Sequence, residues 1–99
     1  MTFVRVCSVN DVKPGHGKVV DADGIEIAVF NQDGHFYAID NACPHRRGPL
    51  GEGMLDGDVV TCPHHGWQFD IKTGKGVMMP VSVKTFPVKT EGHDVMVDV

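Results

Sequence analysis

The sequence predicts an all-β protein with antiparallel sheets in a sandwich or barrel arrangement. Three observations carry that prediction. Apolar residues at i, i+3, i+4 and i+7 persist over no stretch of about ten residues, so amphipathic helices are not expected. Short β-branched and aromatic runs recur along the chain instead. The 12 glycines and 6 prolines break those runs into strand-sized pieces.

The elements follow in order. Phe3-Val4-Arg5-Val6 is the first expected strand, and Asp11-Val12-Lys13-Pro14-Gly15 a turn. Lys18-Val19-Val20 and Ile25 to Phe30 are expected to pair around Asp21-Ala22-Asp23-Gly24. Gln32-Asp33-Gly34-His35 is a hairpin signal, because Asp-Gly tolerates the positive φ angles of a tight turn. Phe36 to Ile39, Val59 to Thr61 and Phe69 to Ile71 are further strands. The end forms a hairpin of Thr85 to Lys89 with Val95 to Val99. Pro87 must then sit at an edge or bulge, since it cannot donate to a ladder. Val95, Val97 and Val99 share one face. Seven or eight strands result. The region from Asn41 to Asp58 is strand-poor, and a loop that long in a small domain usually carries function.

At 99 residues and a net charge of −4, the chain is expected to be a single domain, 1–99, with a mildly acidic surface. A large enzyme with a separate substrate domain does not fit. No apolar run approaches the roughly 18–20 residues of a membrane span. Met1-Thr2-Phe3-Val4-Arg5-Val6 lacks the apolar core of a secretory signal, so a cytoplasmic location is expected. There thiols stay reduced, and cysteines are more often ligands than bridges. The 9 Lys and Arg are scattered, which argues against nucleic acid and leaves docking to a basic partner open. Three cysteines beside six histidines point to metal.

Those residues fall into a pattern. Cys43-Pro44-His45 and Cys62-Pro63-His64-His65 give C-x-H-x16-C-x2-H, with Cys43, His45, Cys62 and His65 as ligands. Zinc is the generic expectation for two Cys and two His. Zinc fingers, however, place like ligands in each half, and here each half is mixed. A [2Fe–2S] centre with two Cys on one iron and two His on the other fits better. Replacing two thiolates by neutral imidazoles brings an oxidised cluster close to neutrality, so adding an electron costs less.

Cys43-Pro44-His45-Arg46-Arg47-Gly48-Pro49-Leu50, with Cys62 to Asp70 and Thr73-Gly74, strongly resembles the Rieske iron–sulfur family. The resemblance covers most of the chain and implies the Rieske fold, with a two-loop cluster-binding subdomain at about 41–70. It implies that Cys43 and Cys62 bind one iron of a single [2Fe–2S] cluster. His45 and His65 would bind the other iron, with their ring edges near the surface. Met78-Met79-Pro80 falls loosely where the family has a third covering loop. Family members of respiratory cytochrome bc complexes carry two further cysteines that bridge the loops. Gly48 and His64 stand at those positions. Trp67 and Phe69 stand where those proteins have a serine and a tyrosine.

Other residues have plainer expected roles. His64 fails the ligand spacing. His16, His35 and His93 lie in turns and should be solvated. Cys7 should be a buried thiol, Trp67 and Phe69 cover for the cluster, and Met78 and Met79 packing residues. Arg46 and Arg47 fit equally a docking patch or solvated loop charges. No Ser-His-Asp, G-x-S-x-G or phosphate-loop signature is present.

The resemblance therefore implies a monomeric one-electron carrier rather than an enzyme. It would pass electrons from a flavin-dependent reductase to a terminal oxygenase. The alternative is the small Rieske-like subunit of an NADH-dependent nitrite reductase or of another oxidoreductase complex. Only 34 residues follow His65, too few for the mononuclear iron domain of an oxygenase. Without hydroxyl donors at Trp67 and Phe69, the reduced cluster loses stabilising hydrogen bonds to sulfur. The expected midpoint potential lies on the order of −150 mV, at the low end of the Rieske range. Redox titration followed by EPR measures it, and a value above about +100 mV contradicts the argument.

Overall fold

The computed structural model describes residues 2–43, 48–64 and 66–99. Among them are eleven strands, two short 3-10 turns and no α-helix. Three antiparallel sheets form. The first joins β1 (Phe3–Ser8), β11 (Asp94–Asp98) and β10 (Val88–Glu91). The second runs β2 (His16–Ala22), β3 (Ile25–Gln32), β4 (His35–Asp40) and β9 (Thr85–Phe86). The third is β5 (Met54–Asp56), β6 (Val59–Thr61), β7 (Gln68–Asp70) and β8 (Gly76–Val77).

The second sheet is the middle layer, and β3 explains why. Side chains alternate faces along a strand. Ile27 and Val29 enter one apolar cluster, with Val20, Val95 and Val97. Ala28 and Phe30 enter another, with Leu50, Val60, Phe69 and Ile71. Both faces of β3 are therefore buried, and its sequence is a nearly unbroken apolar run. Removing such side chains from water contributes about 1.5–3 kcal/mol each. The second cluster also holds Cys43 and Cys62.

The hairpins form where Asp-Gly stands. Asp23 and Gly24 take φ of 55° and 87°, and Asp33 and Gly34 take 54° and 91°. Two successive positive φ values give the turn whose twist matches paired strands. Asn31 fastens the second of these turns to the rest of the fold. Its Nδ2 donates to the Val12 carbonyl at 2.8 Å, and its Oδ1 accepts from the Gly34 N–H at 2.8 Å.

Three expectations need correction. The segment from Asn41 to Asp58 contains β5, and β8 follows the Thr73-Gly74 turn; both are too short for periodicity to register. The expected hairpin of Thr85 to Lys89 with Val95 to Val99 is divided at Pro87. Thr85–Phe86 pairs with β4, whereas Val88–Glu91 pairs with β11. Proline cannot continue the ladder, so the chain changes sheets there. Met78 is not a packing residue: it is 97% exposed. His16, His35 and His93 are exposed, as expected for turn residues. No helix among the described residues is long and apolar enough to cross a membrane.

Cys7 is buried in the first cluster, beside a bulge where the β1–β11 register shifts between Arg5 and Cys7. Burial pushes its thiol pKa up, with a further push from Asp11. The neutral thiol is thus favoured in the folded state. Its stabilisation is complete below the ordinary thiol pKa and is lost as pH rises through the raised folded value. Cys7 should resist iodoacetamide in the native protein at pH 8 and label fully in denaturant, a contrast that mass spectrometry reads directly.

Candidate metal centre

The first cysteine loop is tied shut at its base. The Cys43 N–H donates to the Gly48 carbonyl at 3.0 Å, and Ala42 bridges Pro49. Below this, buried Asn41 holds both ends of the loop. Its backbone carbonyl accepts from the Leu50 N–H at 2.8 Å, and its Oδ1 accepts from the Gly51 N–H at 2.9 Å. Its own N–H reaches the Glu26 carbonyl at 3.4 Å, which fixes the loop to the middle sheet.

The second loop repeats the device. The Cys62 N–H donates to the Trp67 carbonyl at 2.7 Å, and the Gly66 N–H donates back to the Cys62 carbonyl at 3.1 Å. Gly66 has φ of 76°, a left-handed conformation that suits glycine at this reversal. In both loops the cysteine N–H bonds to the carbonyl five residues on. The two thiols therefore occupy equivalent places in two similar turns.

Cys43 and Cys62 are 1% and 3% exposed. Phe69 is fully buried and Trp67 packs against the apolar cluster that also holds the two cysteines. The loops meet at Gly48. A Cβ there would lie 2.7 Å from the Cys62 Sγ and 3.3 Å from the His64 ring. Only glycine leaves that sulfur its space. His64 itself is exposed. His45 and His65, and with them Arg46 and Arg47, lie outside the described residues.

Comparison with known proteins bears on what this arrangement holds. Residues 2–90 match the Rieske [2Fe-2S] domain model. The chain belongs to the Rieske [2Fe–2S] domain family. It is 44% identical to the biphenyl dioxygenase ferredoxin subunit of Pseudomonas sp. strain KKS102, over 99% of this chain and 93% of that protein. Among solved structures it is similar to a Sphingomonas yanoikuyae B1 ferredoxin, with a TM-score of 0.90 and 36% identity, covering 99% of both chains. It is also similar to a chain from the complex of reduced oxygenase and oxidised ferredoxin in carbazole 1,9a-dioxygenase. There the TM-score is 0.87 and the identity 36%, covering 96% of this chain and 91% of that one.

The described part of the site fits the Rieske cluster. Two buried thiols at equivalent loop positions supply the soft donors that iron–sulfur centres require. The space at Gly48 admits a cysteine sulfur that any larger side chain would displace. The residue that the sequence does not mark is Asn41. Its signal was faint: a buried asparagine beside a ligand loop looks like any turn residue until its two partners are known.

Two outcomes follow. Asn41→Ala removes a buried acceptor and leaves the Gly51 N–H unsatisfied. It should destabilise the protein by about 1–3 kcal/mol in thermal or urea unfolding and speed cluster loss. Gly48→Ala should fold but displace the Cys62 sulfur or the His64 ring, seen as a shifted visible spectrum relative to wild type.

Proposed function

We propose that the protein is a Rieske-type ferredoxin, a monomeric one-electron carrier of the cytoplasm. It takes an electron from a flavin-dependent reductase and delivers it to a terminal oxygenase. Similarity over 99% of the chain to a dioxygenase ferredoxin subunit carries this reading. The same similarity favours it over a nitrite reductase small subunit. Residues 1–99 act as one Rieske domain, with the cluster loops at about 41–70.

In this proposal Cys43 and Cys62 hold one iron, and His45 and His65 hold the other. The bound cluster supplies a reversible store for one electron. The chain's own residues do the rest. Burial of Cys43 and Cys62 keeps water from their sulfurs. Trp67 and Phe69 cover them with apolar surface and donate no hydroxyl. Pro63, His64 and Gly66 are exposed, so the second ligand turn faces outward, where a partner can approach. The residues hold and shield; bond-making finishes on the accepting protein.

The purified protein should be reddish-brown and bleach with dithionite, then show an EPR signal of low average g. Substituting His45 or His65 by Ala or Cys should abolish that signal, while His64→Ala should retain it. A colourless protein with stoichiometric zinc would overturn the proposal.

A further inference from the structure

The middle sheet is left open along part of one side. β9 covers only Ala38 and Ile39 of β4, because Pro87 ends it and the chain goes on to pair with β11. The edge of β4 from His35 to Tyr37 has no neighbouring strand there. That is about 10 Å of extended backbone.

Strand parity fixes which backbone groups this edge presents. The Asp40 N–H donates across it to the Lys84 carbonyl at 2.9 Å. Alternate residues of an antiparallel strand bond to the same side. Phe36 therefore also turns its N–H and carbonyl outward. The two-residue turn Asp33-Gly34 requires the same, since His35 closes it on Gln32. Across from this edge stands β10. The Asp98 N–H donates to the Pro87 carbonyl at 3.0 Å on the β11 side, so Val88 and Thr90 turn their backbone groups away from β11. Among the described residues no backbone hydrogen bond joins β4 to β10.

Two adjoining hollows, of about 360 and 280 Å³, lie between the two edges and share Phe36, Tyr37 and Val88. Lys72 lines one and Lys89 the other. The Lys72 ammonium stands 5.8 Å from the centre of the Tyr37 ring. No carboxylate lines either hollow, although the chain has 13 acidic residues against 9 lysines and arginines. Each lysine meets one carboxylate at 3.4 Å outside the groove, Asp58 for Lys72 and Glu91 for Lys89. Such exposed pairs contribute little and leave the ammonium groups open to a further anion.

Free strand edges are recognised by extended segments, which pair through their own main chain and place alternate side chains in flanking hollows. Lysines on such an edge discourage another basic edge and favour a segment that carries carboxylates. We propose that the β4 edge from His35 to Tyr37 is a strand-addition site for an extended, acidic segment of a partner protein. The cysteine loops begin beyond the other end of β4, at Asn41. The site therefore acts as a tether and not as an electron path, and the proposal does not depend on the carrier function.

The test is an NMR titration of isotope-labelled, oxidised, cluster-loaded protein with the capped peptide acetyl-Glu-Val-Thr-Val-Glu-amide. Saturable shifts of the Phe36, Val88 and Thr90 amides are expected, with hydrogen exchange at the Phe36 amide slowed about ten-fold. The same peptide with Lys in place of Glu should bind about five-fold more weakly. A Lys72→Gln, Lys89→Gln double variant should lose a similar factor for the acidic peptide. Methylating every backbone nitrogen of the peptide removes its ladder donors and should abolish the shifts, a result that needs no protein variant. No saturable shift at these amides up to about 10 mM acidic peptide would overturn the proposal. So would equal affinity for the two peptides, or binding that survives methylation, which would reduce the contact to charge alone. The same shifts on concentrating the protein without peptide would also overturn it, by making a second copy the occupant.

Discussion

Each cysteine's own N–H is tied to a carbonyl five residues later, Gly48 for Cys43 and Trp67 for Cys62. This bond closes each cysteine turn onto itself, so the thiol's position follows from the backbone rather than from side-chain packing. Asn41 extends the closure downward on the first loop and anchors it to the middle sheet. The second loop needs no such clamp, because Thr61 and Gln68 on either side of it already pair across β6 and β7. The same turn is thus supported in two ways, by one buried amide side chain or by a two-strand ladder.

The sheets divide the work. The cluster of Cys7, Val20, Val95 and Val97 lies away from the ligand loops and holds the first two sheets together. The cluster of Phe30, Leu50, Phe69, Cys43 and Cys62 belongs to the loops as much as to the strands. Metal binding and folding are coupled where ligands form part of the core. Loss of the cluster is therefore expected to act first on the third sheet and its loops. The outer sandwich keeps its own apolar contacts.

Much of this was legible in the sequence. Asp23-Gly24 and Asp33-Gly34 marked their hairpins because the turn itself demands positive φ, a purely local requirement. The cysteines stood out in the sequence because ligand chemistry restricts residue type and spacing, and the structure buries both. What escaped depends on distant partners. β5 and β8 are two or three residues long and exist because β6 and β7 lie beside them. Pro87 was expected at an edge or bulge, but that the chain passes there to another sheet is decided by β11. Asn41 and the exposed Met78 acquire meaning only from what surrounds them, or from what does not. His45 and His65 remain legible by spacing alone.

Gly48 and His64 show how this chain manages without the bridge that some Rieske proteins carry. A Cβ at position 48 would stand 3.3 Å from the His64 ring, so the two positions are neighbours in space, as a pair joined by a disulfide must be. Here that neighbourhood is used differently. Glycine gives up a covalent cross-link and lets the Cys62 sulfur fill the space. The two loops are then joined through the apolar contacts of the core they share. Closing two loops without a covalent tie costs entropy that small domains offset with difficulty. A [2Fe–2S] cluster held from both loops, as proposed above, would supply that tie. The redox centre would then also be the staple, with Gly48 leaving the Cys62 sulfur its space.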